Sequence, residues 1–497
     1  MKRDLAIIGA GTAGLSAGIY AAASGYRVTV LEMAGTPGGL CTSWSRGGYL
    51  FDGSAAGLAG TGPGAPLYRM WKELGVIGRC PLRDPVSFGS VRLTDGRTVT
   101  VWTDIDRFEA HFLENFPRDA RAVRSFVRAL RACLRFDMPL AGGDPKAAGE
   151  LRNPAGSAIA ALPVLLRYGT RTLRRLLAEL EDPGAVEAFG NLVHFGGADV
   201  PLLTVLLPLA YAHRKMTGMP RHGWLSFARA LESRLEELGG RVLYGARAAR
   251  LRIEDGAVRG VVLADGREIS ADRVLSSADG RFTRSVLPGG DVSGADFDPR
   301  RMSDQPVQVN LGVAEDWSEY PGPLTWLLPD APVAAGRPQH RLTVHHRCYD
   351  PASAPAGKSA LMAFLESDYG FWKDLEADRS RYEAEKRRCA DLVVQAVERF
   401  RPGFAGKVEV TDVSTPRTRE RYTGNYMGTM QARKPDAGMI RTLLRGAPRY
   451  DEPGLDGFWQ AGQWVEAWGG ITTAAQSGRN AVRAMCRKDG VPFASGI

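Results

Sequence analysis

The sequence of 497 residues predicts an α/β fold of more than one domain, with parallel strands in one domain and a mixed sheet in another. Three observations predict it. A strand–helix–strand unit with a glycine-rich turn occupies residues 4–32, and a second strand, glycine turn and helix start occupy residues 458–478. Between them lies a long region that is helical at first and then alternates strands with a helix. The length also exceeds that of one ordinary domain.

The unit at residues 4–32 is predicted to bind a dinucleotide. A short apolar strand leads into Gly9, Gly11 and Gly14, which form the pattern G-x-G-x-x-G before an Ala-rich helix. These glycines allow a tight turn, close approach of a pyrophosphate and close packing of helix on strand. The N–H groups at the helix start favour the phosphates. Glu32 ends the second strand and can accept hydrogen bonds from both ribose hydroxyls, which favours a cofactor without a 2′-phosphate.

Further glycine motifs favour FAD over NAD. The pair Gly38-Gly39 follows the ribose-binding acid and suits a longer cofactor. The returning segment near the other chain end is typical of FAD enzymes with a glutathione-reductase-like Rossmann domain. The predicted cofactor-binding residues are Gly9, Gly11, Thr12, Ala13, Gly14, Glu32, Gly38, Gly39, Leu40, Val242, Asp279, Gly462, Gln463, Gly470 and Ile471. Because no second G-x-G-x-x-G occurs, NAD(P)H would have to approach from the substrate side, and oxygen or a quinone are the alternative redox partners.

Changes in hydrophobic periodicity predict the order of domains along the chain. Residues 1–105, 223–289 and 451–497 are assigned to the FAD-binding domain, and the first of these segments includes a hairpin with an Asp-Gly turn at residues 95–96. Residues 106–222 are predicted to form a helical lid or substrate region. Residues 290–450 are predicted to form a substrate domain of mixed sheet and helix.

Composition excludes several classes of function. Lys and Arg outnumber Asp and Glu by 64 to 55, but the basic residues are dispersed without interleaved aromatics, which disfavours nucleic-acid binding. Six scattered cysteines lack CxxC or metal spacing, so we expect reduced thiols, no metal site and a cytoplasmic protein. No apolar run of ~18 residues predicts a spanning helix. Residues 158–180 read either as a core helix with a solvated basic face or as a helix lying peripherally at the inner face of a membrane.

Seven segments in order resemble the phytoene desaturase and carotenoid isomerase-like FAD oxidoreductases, over nearly the whole chain. The segments are residues 9–18, 37–44, 48–53, 220–242, 263–279, 414–425 and 461–481. The resemblance implies non-covalent FAD, a long apolar tunnel to the flavin, and an extended polyene or isoprenoid as the small apolar substrate. It implies desaturation, or a redox-coupled isomerisation or cyclisation, of the kind also used in secondary metabolism.

Two departures from that family change the expected substrate. After Asp52-Gly53 the isomerase-like members usually continue Cys-Ile-His-Trp, whereas residues 54–57 here are Ser-Ala-Ala-Gly. Trp468 stands where related sequences usually carry small residues or Pro, and an indole there would narrow the tunnel. We therefore expect a smaller or differently shaped polyene than a carotenoid.

Four residues are candidates for proton transfer, each with an ordinary structural alternative. His213 lies in an apolar helical context that also suits a core histidine, and Arg221 and His222 precede a helix that they could cap. Glu466 lies beside the C-terminal glycine motif, where it could act in catalysis or tune the flavin. A separate pair, His345 and His346, should point to opposite faces of a strand.

Tyr422, Trp464 and Trp468 are predicted to line the substrate tunnel, with core packing as the alternative. Two other functions remain open for the whole chain. A flavin amine oxidase shares the fold and usually has an aromatic cage in front of the flavin, of which Trp468 could form half. A non-catalytic isoprenoid-binding escort protein shares the architecture, but the intact glycine motifs and Glu32 argue against it.

Overall fold

A computed structural model of the chain describes residues 2–54, 57–65, 67–134, 164, 167–168, 171–192, 198–289, 297–434, 448–466 and 469–496. In these ranges the α-helices are Thr12–Ala23, Tyr68–Glu73, Val76–Arg79, Ile105–Asn115, Ala120–Cys133, Leu173–Leu177, Pro183–Gly190, Leu203–His213, Trp224–Glu237, Tyr369–Leu375, Arg379–Phe400, Pro416–Thr423 and Ile471–Asp489. The strands are Asp4–Ile8, Arg27–Leu31, Ser43–Arg46, Tyr49–Asp52, Leu58–Ala59, Leu82–Arg83, Ser87–Arg92, Thr98–Trp102, Thr217–Pro220, Arg241–Leu243, Ala248–Glu254, Ala257–Leu263, Glu268–Ser270, Arg273–Ser276, Val307–Val313, Leu324–Leu327, Val333–Ala334, Arg337–Pro338, Arg341–His346, Ser359–Leu365, Val408–Ser414 and Phe458–Gln460.

A parallel sheet of five strands brings distant parts of the chain together. Its spatial order is Arg241–Leu243, Arg27–Leu31, Asp4–Ile8, Arg273–Ser276 and Phe458–Gln460. The central strand is apolar and buried, as expected for a parallel sheet that is covered on both faces. Because parallel strands end at one edge, the turns that follow them meet there, and that edge is where open α/β sheets bind ligands.

Two helices cross closely on this sheet, and glycine makes the close crossing possible. A Cβ placed on Gly478 of the C-terminal helix would lie 2.3 Å from the carbonyl oxygen of Ala13 on the first helix. The Ser16 hydroxyl donates to the Ala475 carbonyl across the same contact, at 2.6 Å. The C-terminal helix is thereby fixed against the N-terminal glycine motif.

A second sheet of seven strands is mixed. Its order is Val408–Ser414, Val307–Val313, Ser359–Leu365, Arg341–His346, Leu324–Leu327, Ser87–Arg92 and Thr98–Trp102. The long helix Arg379–Phe400 packs against it through Cys389, Val393 and Val397. The sequence therefore predicts the mixed α/β content correctly.

The predicted hairpin forms, but it joins a different sheet from the one expected. Val91 pairs with Val99 across the predicted turn. Ser90 and Val91 also pair, in parallel, with Leu324 and Thr325 of the mixed sheet. The expected boundary at residue 105 therefore needs correction, because strands before it extend the second sheet. A hairpin carries no local signal for the edge to which it will add, so the sequence could not assign it.

A helical cluster covers one end of the mixed sheet. Its core is a group of stacked aromatic rings, in which Phe108 and Phe112 lie 4.1 Å apart between centroids and Phe189 contacts both. The helix Ala120–Cys133 belongs to this cluster and buries Val123, Phe126, Val127 and Leu130 on one face. Ten of the 23 residues of the stretch 158–180 lie outside the described residues, and in the described part the helix Leu173–Leu177 begins after the N-cap residue Thr172. Among the helices that are described, none combines the length and apolar character needed to cross a bilayer.

Candidate functional site

An elongated cavity of about 1120 Å³ lies at the carboxyl edge of the parallel sheet. This volume exceeds the range of about 300–1,000 Å³ that is usual for pockets of drug-sized ligands. Its wall contains residues that follow all five of the parallel strands, together with residues of the mixed sheet and of the helix Leu203–His213. The cavity therefore joins the two sheets and has room for a large cofactor and a second molecule.

The N-terminal glycine turn is shaped to bring the backbone close to a ligand. A Cβ built on Gly11 meets no atom within 4 Å, and Gly11 lines the cavity, so the missing side chain leaves open space there. Gly14 is different, because its Cβ would lie 1.9 Å from the Gly9 carbonyl oxygen. The turn and the helix therefore pack too closely for any side chain. Thr12 and Ala13 also lie in the cavity wall, at the helix N-terminus.

Glu32 is buried, with 7% of its surface exposed, and lines the cavity. Its Oε2 accepts a hydrogen bond from the Ala10 N–H at 2.7 Å, and its Oε1 accepts one from the Ala34 N–H at 2.8 Å. A carboxylate has about four acceptor positions. Two therefore remain for the hydroxyls of a ribose, and the two backbone bonds hold the carboxylate in place for them.

The second glycine pair is placed against the first turn. The Gly38 N–H donates to the Ala10 carbonyl at 2.8 Å, and Gly38 forms an isolated parallel β-bridge with Gly11. Gly38, Gly39 and Leu40 all line the cavity. Apart from Gly14, the predicted cofactor residues from the two N-terminal motifs are thus brought to one wall.

The C-terminal motif reaches the same wall. Gly462, Gln463, Gly470 and Ile471 line the cavity, and the helix Ile471–Asp489 begins there. A Cβ on Gly470 would meet no atom within 4 Å. The amino end of a long helix therefore points its free N–H groups and positive dipole at the cavity, which favours negative charge on a ligand.

Asp279 also lines the cavity, but its carboxylate is committed to backbone groups. Oδ1 accepts the N–H groups of Arg281 and Phe282, and Oδ2 accepts the Tyr426 N–H at 2.8 Å. Burial raises the pKa of this carboxyl. Asp279 therefore ties a loop of the mixed-sheet domain to the parallel sheet and shapes the wall.

Val242 and Gly14 are the two predicted cofactor residues outside the cavity wall. The strand of Val242 pairs with Arg27–Leu31, and its side chain packs against the core of the parallel-sheet domain. Ala246, Arg247 and Ala248 line the cavity instead. They follow the strand and so reach the carboxyl edge, whereas Val242 lies within the strand itself.

All four proton-transfer candidates lie outside the cavity wall, and three of them are His213, Arg221 and His222. The His213 Nδ1 accepts the Ile105 N–H at 3.1 Å and so caps another helix. Arg221 is exposed, and its N–H donates to the Pro81 carbonyl. The side chain of His222 is 59% exposed, and the backbone N–H of His222 donates to the Asp350 carboxylate at 2.7 Å. His213 is therefore a partly exposed cap of another helix rather than a core histidine. Neither Arg221 nor His222 caps the helix Trp224–Glu237, whose N-cap residue is Gly223 and which has no side-chain cap.

Glu466 is buried in the parallel-sheet domain, and it too lies outside the cavity wall. Its Oε1 accepts a hydrogen bond from the Tyr450 hydroxyl at 2.9 Å, and its Oε2 has no partner. Burial raises the pKa of this carboxyl to about 7. Without contact to the cavity, Glu466 can influence a ligand only through neighbouring residues.

The three predicted tunnel residues differ in placement. Tyr422 lines the cavity and is 63% exposed, as expected for a residue at an opening. Trp464 packs against Gly280 and lies 5.8 Å from Phe297 between ring centroids, outside the cavity wall. Trp468 lies outside the described residues, as do two of the residues that depart from the family after Gly53.

The mixed sheet supplies a floor to the cavity that sequence reasoning missed. Five of its strands each place residues in the wall, among them Asp412, Gln308, Phe364, His345 and Phe88, in spatial order. From the first to the last of these strands are five strand spacings of ~4.8 Å, so the floor is about 24 Å long. Strand alternation was the available signal, but it does not tell which face meets the cavity.

Residues of the helix Leu203–His213 and of the segments that precede it also line the cavity, and they are mostly apolar. They are Leu192, Val200, Thr204, Val205, Pro208 and Leu209. Together with Phe88 and Phe364 they form an apolar chamber at one end of the cavity. His346 lies on the opposite face of its strand from His345, where its Nε2 lies 3.1 Å from the Gly322 carbonyl.

A buried polar group supports the loop after Asp52, whose Gly53 and Ser54 line the cavity. Asp52 Oδ1 accepts bonds from the Ser43 hydroxyl at 2.5 Å and the Trp224 N–H at 2.9 Å, and its Oδ2 forms an ion pair with Arg347. No group of three or more His, Cys, Asp or Glu side chains in the described ranges is arranged to hold a metal ion.

Comparison with known proteins agrees with this site. The family model for flavin containing amine oxidoreductases matches residues 12–486. The chain is 23% identical to prolycopene isomerase 2, chloroplastic, of an Oncidium hybrid cultivar, over 96% of this chain and 82% of that one. It is 24% identical to a lycopene-forming phytoene desaturase of a Paracoccus species, over 82% and 83%. The solved structure of cyclohexylamine oxidase from Brevibacterium oxydans has a similar fold, with a TM-score of 0.61, 14% identity and coverage of 99% and 100%.

Proposed function

The chain belongs to the flavin containing amine oxidoreductase family, and from that premise we propose that it is an FAD-dependent oxidoreductase acting on an extended apolar polyene or isoprenoid. The proposed reaction is a desaturation, or a redox-coupled isomerisation or cyclisation. The observation that carries the proposal is the continuity of the cavity. One wall holds the dinucleotide motifs, and the same cavity runs over a floor about 24 Å long into an apolar chamber.

The residues present fit FAD bound in a glutathione-reductase-like Rossmann domain. Gly11 leaves room for a pyrophosphate beside a helix start, and Glu32 keeps two acceptor positions for a ribose. The backbone at Gly38-Gly39 and the helix start after Gly470 would hold the rest of the cofactor. When bound, the flavin supplies the redox chemistry, and the protein supplies binding, orientation and electrostatics.

The chain's own residues position the substrate and keep water away. The chamber side chains on the helix Leu203–His213 are apolar, and burying an extended hydrocarbon against them removes apolar surface from water. Phe364 and Phe88 would contact the hydrocarbon chain of the substrate from the floor formed by the mixed sheet. A carbon chain held in one orientation over the floor brings a chosen bond close to the cofactor wall, and such positioning contributes strongly to rate.

The experiment is direct. Purified protein should release FAD on denaturation, in about one copy per chain, and the holoprotein should convert a polyene while its flavin changes redox state. A panel of apolar polyenes of different length is tested beside a panel of primary amines. Turnover of amines alone would favour the amine oxidase, and absence of bound flavin after reconstitution would favour the escort function.

The redox partner is proposed from the same cavity. The sequence holds no second dinucleotide motif, so oxygen or a quinone is favoured, and NAD(P)H would need the substrate side. Flavin reduced in the absence of air can be mixed with each acceptor in turn. The acceptor that reoxidises it at a rate matching turnover is the physiological class.

Peripheral contact with a membrane is a further part of the proposal. The helix Ala120–Cys133 exposes Arg121, Arg124 and Arg128 on one face, and cationic residues of this kind are attracted to anionic lipid. The six cysteines are free, which suits a reducing compartment such as the cytoplasm. Co-sedimentation with anionic vesicles should fall as salt rises, and Arg124→Glu with Arg128→Glu should reduce it.

A further inference from the structure

Arg419 is a buried arginine without a carboxylate partner in the described part of the chain. It lies on the helix Pro416–Thr423, and only 6% of its surface is exposed. Its Nε donates to the Gly428 carbonyl at 3.0 Å, and its Nη2 donates to the Pro306 carbonyl. Its Nη1 is buried and has no hydrogen-bond partner. The guanidinium is therefore held in place by two carbonyl groups, and no carboxylate of the described residues balances its charge.

An unmatched buried charge is unfavourable for folding. Desolvation lowers the pKa of Arg419 to about 9, which still leaves the guanidinium protonated at neutral pH. Removing a cation from water without an anion beside it opposes folding, and such groups are usually paired. A position of this kind is explained if an anion from a ligand completes it.

Arg419 lies at the polar end of the cavity floor. It is in the cavity wall, and its helix follows directly after Ser414, the last residue of the first floor strand. Ser414 pairs with Gln308 on the next strand, and Gln308 pairs with Phe364 on the third. Along the floor the polar side chains of the first two strands are followed by Phe364 on the third, and His345 on the fourth lies between Phe364 and Phe88.

We propose that Arg419 receives a carboxylate or phosphate group at one end of the substrate, whose apolar chain extends along the floor into the chamber. This inference rests on the proposed function and adds to it the substrate class, an acidic polyene or isoprenoid. Its guanidinium can donate in parallel to two oxygens of such a group, which makes arginine well suited to the task.

Other charges near this end have partners of their own. Asp412 Oδ2 accepts from the Trp44 indole N–H at 2.9 Å and from the Asn310 amide at 3.2 Å. Asp304 lies 3.9 Å from the Lys434 ammonium. Neither carboxylate contacts Arg419.

The cofactor phosphates are a less suitable partner for Arg419. The N-terminal glycine turn and two helix starts already face the cavity from the parallel-sheet domain. Pro306 and Gly428, which hold Arg419, belong instead to segments of the mixed-sheet domain. An anionic group on the substrate is therefore the ligand we assign to it.

The test compares two ligands that differ mainly in charge. All-trans retinoic acid and all-trans retinol are titrated into holoprotein at pH 8, and binding is followed through the flavin absorbance. Wild type should bind the acid at least about tenfold more tightly, the usual size of one hydrogen bond to a charged group. Arg419→Met should lose this preference while keeping its flavin and its affinity for retinol.

Two further variants control for charge and for folding. Arg417→Met removes an arginine from the same helix, but Arg417 pairs with Glu376 and Glu420 and lies outside the cavity wall. It should keep the preference for the acid. Arg419→Lys keeps a positive charge and should retain part of the preference, which separates loss of charge from a change of packing.

The possible outcomes separate this inference from the proposed function. If retinol and retinoic acid bind wild type equally, or if Arg419→Met keeps the preference, the assignment of Arg419 is overturned and the polyene function stands. If neither retinoid binds but palmitate does so through Arg419, the anion site stands and the polyene function fails. Failure of all three ligands overturns both. Loss of flavin from folded Arg419→Met protein would assign the charge to the cofactor phosphates and overturn the inference.

Discussion

Gly11→Ala should separate the stability of the fold from the binding of the flavin. Gly11 has φ −72° and ψ 177°, an extended conformation that alanine adopts without strain. The added Cβ would meet no protein atom within 4 Å, because it would project into open space at a position that lines the cavity. The substitution therefore leaves the packing of the folded protein as it is and changes only the space available to a ligand.

The two expected effects have opposite signs. Replacing glycine by alanine where the conformation is compatible stabilises a protein by about 0.4–1 kcal/mol, because the unfolded chain loses freedom. For the flavin, the methyl group occupies space where the backbone must approach a pyrophosphate. Forcing an extra methyl into a closely packed contact costs about 1–3 kcal/mol, which corresponds to a rise in Kd of about five- to 150-fold.

The measurement needs apoprotein and a matched control. Thermal unfolding of apoprotein gives the first effect, and titration with FAD, followed by quenching of flavin fluorescence, gives the second. Gly406→Ala is the control, because its Cβ also meets nothing within 4 Å but it lies outside the cavity wall. Gly406→Ala should bind FAD like wild type. Unchanged FAD affinity in Gly11→Ala, or apoprotein less stable than wild type, would refute the assignment of this turn.

Three further predictions concern single residues. Glu32→Gln should lower FAD affinity by about tenfold or more, measured by fluorescence titration, since a charged acceptor of ribose bonds is lost; an unchanged Kd would exclude Glu32 from the site. Glu466 has a folded pKa of about 7, above its unfolded value, so its contribution to stability is full below pH 4.5 and is lost as the pH rises to about 7. The variant Glu466→Gln stays neutral at every pH. Between pH 4.5 and 7 its unfolding free energy should therefore rise relative to wild type, by up to about 3 kcal/mol, and its denaturation midpoint should rise with it. If the stability of the two proteins changes with pH in parallel, the raised pKa assigned to Glu466 is contradicted. Gly478→Ala should destabilise the apoprotein by about 1–3 kcal/mol in urea unfolding, because its Cβ would lie 2.3 Å from the Ala13 carbonyl, and wild-type stability would show that the two helices can separate.

The cofactor half of the site could be predicted because its signals are local. The glycines of residues 9–14, the acid Glu32 and the pair Gly38-Gly39 each combine a turn with a strand or helix end, and the structure places all of them except Gly14 in one cavity wall. The helix that the sequence predicts within residues 290–450 is also present, as Arg379–Phe400. At the glycine positions a few neighbouring residues determine the backbone conformation, and it is the backbone that would contact the cofactor.

The substrate half could not be predicted in the same way, because strand pairing between distant segments creates it. Phe88 and His345 are 257 positions apart in the chain but line one floor. No local pattern marks that relation. His213 and His222 were chosen for their chemistry, yet their elements carry them to a helix cap and to the surface. Residue type determines what chemistry a side chain can perform, but it does not determine where the fold places that side chain.

This division between the two halves explains how one family can include enzymes for amines and enzymes for polyenes. The cofactor wall relies on backbone N–H groups and glycines, so it tolerates wide change elsewhere in the chain. The floor relies on side chains that alternate along five strands, and each can change without disturbing the sheet hydrogen bonds. Function then follows from the side chains that the fold presents rather than from the fold itself. In this chain the floor leads from a buried, unmatched guanidinium at Arg419 to an apolar chamber beyond Phe364. Such a floor suits a long apolar molecule with an acidic end better than a small amine.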